Sequence, residues 1–497
     1  MAEGGKKMKK KLLSIFMGLC LLVGGGTAVS AADVRGTMRD ITPAAIAKEM
    51  TAGWNLGNSL DAYGTYSLNN ETYWGNPKTT KAMIDAVKNE GFNTIRIPVS
   101  WGEHVGSAPN YTIDTAWMNR VQEVVDYAMA DGMYVLLDTH HETSWLKPQS
   151  ATLDASQKQL VAIWTQIAER FKAYGDHLLF EGMNEPRIVG SSNEWSGGDA
   201  DGRAAVNVLN QAFIDAVRKT GGNNAKRCLI ICPYGNNGDP NGLSGFKIPS
   251  DKNIMVAIHA YTPYGFTFRP EGNPSWARTT WDGSGKSDIE YLMNNLNTSL
   301  ISKGVTVIIT EFGAVHKNNE SEVVKWVKDY VSLATQYGIK CVWWDNNYHK
   351  NDGESFGLLD RNSCSWTRKS VAGAVIKYAG SAVPGGGTET PTPTPTTPQT
   401  GDMVKVQIIS DWTSGATANI TVTNLTGKAL NGWTCTFTLD RSITSLWSAT
   451  LVNQVGNTYT ISNPDWQPHL AAGESYTFGC NLGSGPAQVT VTGQTLK

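Results

Sequence analysis

A basic surface is missing from this sequence. The chain has 42 Lys and Arg against 44 Asp and Glu, a formal charge of −2. Phosphate backbones are held by concentrated positive charge, so nucleic acid is excluded as the main partner. No glycine-rich dinucleotide or Walker loop follows the first strand pattern, and no zinc motif occurs. No cofactor and no metal are therefore expected. Long apolar runs are scarce too. Leu12–Val23 follows the positive cluster Lys6, Lys7, Lys9, Lys10 and Lys11, and precedes the small residues Ala28, Ser30, Ala31 and Ala32. That pattern has the length and flanks of a secretion signal over residues 1–32, too short for a secure membrane span. The expected product is an extracellular monomer with no membrane contact after cleavage. Cysteines are few. Outside the signal they are Cys228, Cys232, Cys341, Cys364, Cys435 and Cys480. Cys228-Leu-Ile-Ile-Cys232 fits neither metal nor redox spacing and reads as a buried strand with core thiols.

Aromatic residues are abundant, with 17 Trp and 17 Tyr. Sugar rings have apolar C–H faces, and flat exposed indoles suit them. The stretch 383–402, PGGGTETPTPTPTTPQTGD after Val383, cannot build a packed core and favours extended polyproline II. It separates two regions, 33–382 and 403–497. In the first, short β-branched runs alternate with amphipathic helical patterns. The expected strands are Ala52–Leu56, Thr94–Val99, Tyr134–Asp138, Leu178–Met183, Leu229–Cys232, Met255–His259, Val305–Glu311 and Lys340–Trp344. Helical patterns include Met118–Ala130, Gln157–Tyr174, Arg203–Thr220 and Glu322–Tyr337. Eight such repeats predict an α/β fold, a (β/α)8 TIM barrel. In the second region the period drops to two, as in Ala418–Asn424 and Trp433–Leu439, with glycine turns between, which predicts an all-β sandwich.

Active sites of such barrels gather at the C-terminal strand ends. Those ends read Arg96-Ile-Pro-Val-Ser-Trp101, Asp138-Thr-His-His-Glu142, Met183-Asn-Glu-Pro186, Ile258-His-Ala-Tyr261, Thr310-Glu-Phe-Gly313 and Trp343-Trp-Asp-Asn346. A lone strand-end Glu is usually a surface ion-pair residue. Two of them in these contexts, on strands 4 and 7, point to paired carboxylates across a barrel mouth. His140-His141-Glu142 lacks zinc-helix spacing; one His is expected in the cleft, His140, and the other packed. Trp343 and Trp344 face opposite sides of their strand, so one is core. Trp74, Trp101 and Trp145 are either outer sugar subsites or packing residues.

These motifs resemble glycoside hydrolase family 5, and Trp54-Asn-Leu-Gly-Asn58 with Glu71-Thr-Tyr-Trp-Gly-Asn-Pro77 is similar to its endoglucanase and xyloglucanase subfamily. The resemblance implies Glu185 as general acid/base and Glu311 as nucleophile, surrounded by Arg96, His140, Asn184, His259, Tyr261 and Trp344. It implies a retaining endo-β-1,4-glucanase acting on cellulose and related β-glucans. Xyloglucan, mixed-linkage glucan, xylan and mannan are alternatives on the same barrel, and a non-catalytic carbohydrate-binding protein is one of another class. Thr310 and Asn347 stand where relatives often have Gly. Glu185 must be protonated in the first step, so its surroundings are expected to raise its pKa. Arg96 is expected to keep Glu311 ionised, Tyr261 to donate to it, and Asn184 to meet the sugar 2-hydroxyl.

The second region resembles family 2 carbohydrate-binding modules through Trp412–Asn424, Gly432-Trp433, Leu446-Trp447-Ser-Ala449, Asp465-Trp466 and Phe478-Gly479. The resemblance implies a flat row of Trp412, Trp447 and Trp466 for cellulose, with Trp433 in the core. Relatives commonly close this domain with a terminal disulfide. Here Cys435 and Cys480 either pair or remain core thiols.

Overall fold

The computed structural model describes residues 35–269, 275–380, 403–411, 414–447, 449–463, 469–470, 472–473, 475–486 and 488–497. The expected signal over residues 1–32, the 383–402 stretch, Trp412 and Trp466 lie outside these residues, as does the side chain of Trp447. The chain divides into two compact units between Gly386 and Gly387.

The first unit is a closed barrel of eight parallel strands in chain order. They are β1 (Gly53–Asn55), β2 (Thr94–Ile97), β3 (Tyr134–Asp138), β4 (Leu178–Glu181), β5 (Leu229–Ile231), β6 (Ile254–His259), β7 (Thr306–Phe312) and β8 (Lys340–Trp343). β1 closes the ring on β8 through Gly53 opposite Val342 and Trp54 opposite Trp343. Each strand precedes a helix: α1 (Lys81–Glu90), α2 (Thr115–Ala130), α3 (Leu153–Arg170), α4 (Ala200–Thr220), the single turn α5 (Pro240–Leu243), α6 (Lys286–Ser299), α7 (Glu320–Gln336) and α8 (Lys369–Tyr378). Helices outside and side-chain layers inside bury both strand faces, which is why these strands read as unbroken apolar runs rather than alternating ones.

Boundaries differ from the sequence pattern for local reasons. β2 stops at Ile97, because the Val99 N–H turns to Asp138 Oδ1 at 2.9 Å instead of continuing the ladder. α2 and α4 start three residues before their apolar periodicity, because Asp114 and Asp199 accept the N–H groups of Trp117 and Gly202 at 2.9 and 2.8 Å. Caps set the helix start, and the apolar stripe reports only what faces the core.

Two irregularities matter for the mouth. Pairing slips between Ile258 and His259 of β6 and their β7 partners Ile309 and Glu311, so Thr310 is an extra residue. Such a bulge re-aims the side chains beside it. Asn347 has φ 59, left-handed backbone that Asn tolerates better than most residues.

The second unit holds two antiparallel four-stranded sheets. One is ordered Val404–Asp411, Gly415–Thr423, Ser475–Gly483, Ile443–Trp447; the other Thr450–Val455, Thr458–Ser462, Thr434–Leu439, Val491–Leu496. Inward Ile420, Phe437, Tyr459 and Phe478 form one core with Trp433, as expected for that Trp. Outward threonines pair across strands, Thr421 with Thr477 and Thr438 with Thr458, each at 2.8 Å. Cys435 and Cys480 are buried free thiols on different sheets, each pushed up to about 12 by burial. Cys228 and Cys232 are likewise free and buried.

At the N-terminal end of the barrel, buried Arg227 donates to the carbonyls of Phe171, Tyr174, Gly175 and Leu178 at 2.6–3.0 Å. Its guanidinium lies 4.6 Å above the Phe180 ring. Arg227→Met removes those four hydrogen bonds, so it is expected to lower unfolding free energy by about 3–5 kcal/mol, at roughly 1 kcal/mol per bond. Urea denaturation measures the loss, and kcat/KM of the folded fraction is expected to stay near wild type, since the site lies at the other barrel end.

Candidate active site

A fully buried guanidinium needs its donors satisfied. Arg96 of β2 finds three anions. Nε donates to Glu181 Oε2 at 2.7 Å, Nη2 lies 2.8 Å from Asp138 Oδ2, and Nη1 donates to Glu311 Oε1 at 2.7 Å. Nη2 also reaches Asn184 Oδ1 at 2.8 Å, and Nη1 reaches Asn55 Oδ1 at 3.2 Å. Burial opposes the Arg96 charge, but Glu181, Asp138 and Glu311 outweigh it and hold the side chain protonated. The surplus negative charge is spread over further donors. His140 Nδ1 meets Asp138 at 2.8 Å and Thr310 Oγ1 donates to Glu181 at 3.2 Å. Thr310, the bulge residue, thus supports the ion-pair cluster.

The bulge turns Glu311 into the mouth, beside His259 and Tyr261. Tyr261 donates its hydroxyl to Glu311 Oε2 at 2.9 Å. His259 Nδ1 donates to Glu185 Oε1 at 2.9 Å and lies 3.5 Å from Glu311 Oε2. Its Nε2 is buried without a partner, so the shared proton belongs on Nδ1. A carboxyl oxygen of Glu185 and one of Glu311 come within 4.8 Å of each other. Glu185 itself adopts φ 43, and its N–H is taken by Asn236 Oδ1 at 2.9 Å. Left-handed backbone at a non-glycine residue persists only when its surroundings hold it.

The charge pattern corrects one expectation. Burial would raise Glu185, but the hydrogen bond and charge of His259, with Arg187 and His140, outweigh it and carry the group down to about 2. Burial raises Glu311, with the Glu185 charge adding to it, against the pull of His259 and Arg96. Burial works against charge on His259, yet Glu311 and Glu185 raise it. The hydrogen bond and charge of His259 therefore favour the ionised form of Glu185.

The other candidate residues divide. Trp344 is nearly buried and stacks parallel to His140, ring centroids 5.6 Å apart. Its ring crowds Gly57 so closely that a Cβ there would lie 2.8 Å from it. Trp343 is the core partner, fully buried. His140 is buried and its neighbour is not packed away as expected. His141 is a third exposed and sits against Tyr63 and Trp74 at the rim. Trp101 is fully buried, its Nε1 donating to Asp138 O at 2.9 Å, so it is no outer subsite. Trp145 packs against the core and donates to Glu142 at 2.5 Å, while Trp74 is exposed. Asp61, His140 and His141 bring one donor atom each within 4.8 Å. Asp61 already accepts the Asn58 and Ser59 N–H groups, and His140 Nδ1 is on Asp138.

Asn55, Asp138 and Glu181 were not singled out in the sequence. The signal was available for Glu181, an acid inside the apolar run Leu178–Phe180, since a charge buried in a strand requires a partner. A cavity of about 790 Å³ between α3 and α4, lined by Gln157, Arg203 and Asp215 among others, has no facing acid pair.

A barrel carrying two carboxylates across its C-terminal mouth, one tied to a buried arginine, defines a glycoside hydrolase. Residues 59–350 match the family described as cellulase (glycosyl hydrolase family 5), and residues 403–496 match the cellulose binding domain. The chain belongs to glycoside hydrolase family 5. It is 51% identical to endoglucanase A of Ruminococcus albus over 346 residues, 69% of this chain and 94% of that protein. It is 37% identical to endoglucanase A of Clostridium longisporum over 512 residues, 94% of this chain and 96% of that one. Among solved structures, a xyloglucan-specific endo-β-1,4-glucanase from a metagenomic library, in complex with cellotriose, shares 52% identity at a TM-score of 0.65. That match covers 67% of this chain and 98% of that one. A broad-specificity endoglucanase from Ruminococcus champanellensis with bound cellotriose shares 46% at 0.65, covering 68% and 99%.

Arg96→Lys replaces a five-donor fork by one ammonium that cannot span Glu181, Asp138, Glu311 and Asn184 together. The variant is expected to lose about 10²-fold or more in kcat while still folding, measured on soluble glucan alongside circular dichroism.

Proposed function

We propose that this protein is a secreted, retaining endo-β-1,4-glucanase in which Glu185 is the general acid/base and Glu311 the nucleophile. The observation that carries the reading is the approach of their carboxyl oxygens to within 4.8 Å. Retaining glycosidases keep the two groups about 5–5.5 Å apart, whereas inverting ones leave about 6.5–9.5 Å for a water.

The resting charges fit a simple proton move. Transfer from His259 Nδ1 to Glu185 Oε1 along their 2.9 Å hydrogen bond gives a neutral acid and a neutral imidazole. The same step removes both the Glu185 charge that raises Glu311 and the His259 charge that lowers it, so Arg96 and the Tyr261 hydroxyl are what keep Glu311 ionised for attack on the anomeric carbon. Glu185 gives its proton to the leaving oxygen. Once Glu311 is consumed as a glycosyl ester, Glu185 takes a proton from water, which releases the sugar. Asn184, already oriented by Arg96, is placed for the sugar 2-hydroxyl, and Trp344 for the ring face.

The relatives named endoglucanase support a β-1,4-glucan as substrate, and the xyloglucan-specific neighbour supports a decorated glucan as the second reading. The cellulose binding domain supports adsorption to insoluble cellulose through Trp412, Trp447 and Trp466, with the 383–402 spacer holding the barrel near the docked chain. The cationic-apolar N-terminus supports export.

Glu185→Ala and Glu311→Ala are each expected to abolish hydrolysis of soluble glucan while cellulose adsorption persists. Proton NMR of fresh product is expected to show the β anomer first; initial α product would overturn the retaining assignment. Removing residues 403–497 is expected to spare soluble substrates and lower release from crystalline cellulose. Parallel rates on carboxymethyl cellulose, xyloglucan, barley glucan, xylan and mannan identify the preferred chain, and binding without cleavage of any would overturn the enzyme reading.

A further inference from the structure

The loop after β4 carries a second layer behind Glu185. Two residues along, Arg187 turns back so that Nη1 lies 3.1 Å from the Glu185 carbonyl and 3.3 Å from its Oε2. The guanidinium is fixed from two further sides. Its Nε donates to Glu194 Oε1 at 3.0 Å, and its plane lies 4.2 Å above the Trp195 ring. Glu194 is anchored in turn by the Gly190 N–H at 2.7 Å. One side chain thus grips both the backbone and the carboxylate of the residue with φ 43.

We infer that Arg187 is a positioning residue for Glu185, clamping its carbonyl and carboxylate in one orientation, and that the Arg187–Glu194 pair sets the local charge under which Glu185 exchanges its proton. The inference rests on the assignment of Glu185 as acid/base. A neutral clamp would hold the geometry without electrostatic consequence, and a bare cation would favour the carboxylate and weaken the acid. Pairing with Glu194 tempers that cation without releasing the grip. The stack on Trp195 orients the guanidinium without adding charge. The other titratable groups facing Glu185 are His259 at the end of β6 and Tyr261 just after it, Glu311 on β7, His140 and His141 after β3, Cys232 after β5, and Glu354 beyond β8. None of them belongs to the clamp, so variants of the pair change one contribution and keep the rest.

The test is the pH dependence of kcat/KM on a soluble glucan, whose basic limb reports loss of the proton shared by His259 and Glu185 in the free enzyme. Arg187→Met keeps the length and removes the cation. It is expected to move the basic limb up by about 1 pH unit and to lower kcat. Glu194→Gln leaves the Arg187 charge uncompensated and is expected to move the limb down. Arg187→Lys keeps the charge but loses the fork and the stack. Its limb is expected near wild type with kcat reduced. Opposite shifts from the two halves of one ion pair are not a signature of structural loosening. A limb unmoved in Arg187→Met, or shifts of both variants in the same direction, overturns the inference. Glu185→Ala, assayed on an aryl cellobioside whose leaving group needs no proton, tests the underlying reading separately. Its basic limb is expected to vanish, and one that persists overturns the acid/base assignment itself.

Discussion

The mouth of this barrel is organised around one buried guanidinium. Arg96 faces Glu181, Asp138 and Glu311, with Asn184 and Asn55 completing its donors. A buried cluster of this kind is costly to assemble, and its value lies in direction more than stability. Each carboxylate can satisfy Arg96 in only one orientation. The ends of β1 to β4 and β7 are thereby held in mutual register. Glu311 is aimed by the donor from Arg96 Nη1 at 2.7 Å, which Asn55 Oδ1 shares at 3.2 Å.

Against that fixed frame Glu185 and Glu311 share one histidine unequally. His259 lies between the two carboxylates and belongs fully to neither, at 2.9 and 3.5 Å. Its nearer contact and its charge favour the ionised form of Glu185. The backbone contributes as well: the Thr310 bulge on β7 and the left-handed turn at Glu185 on the far side both depart from regular structure. Such irregularity is affordable where surrounding contacts over-determine it, and here it re-aims the two side chains toward one another.

The second unit works by different physics. Its sheets bury one face each and leave threonine ladders outside, around a shared apolar core. The contrast explains why one chain combines apolar barrel strands around a polar mouth with alternating sandwich strands.

Much of this was legible in the amino-acid order. Period-two and period-3.6 patterns separate the sandwich from the barrel, because burial on one face or on both leaves different apolar rhythms. Glu185 and Glu311 were readable from the strand-end motifs that carry them, as were Arg96, His259 and Tyr261. Other features depend on distances that the linear order does not encode. Asp138 and Glu181 become partners of Arg96 only when three strands align. Trp101 is core rather than subsite because its indole meets a carbonyl 37 residues away. Glu185 is held low by a histidine 74 residues on, against the expectation of a raised acid. Strands, helices and motif chemistry follow from local periodicity and residue type. Which charge faces which, and therefore where each proton rests, was decided only by the closed ring that brings β2, β4, β6 and β7 to one point.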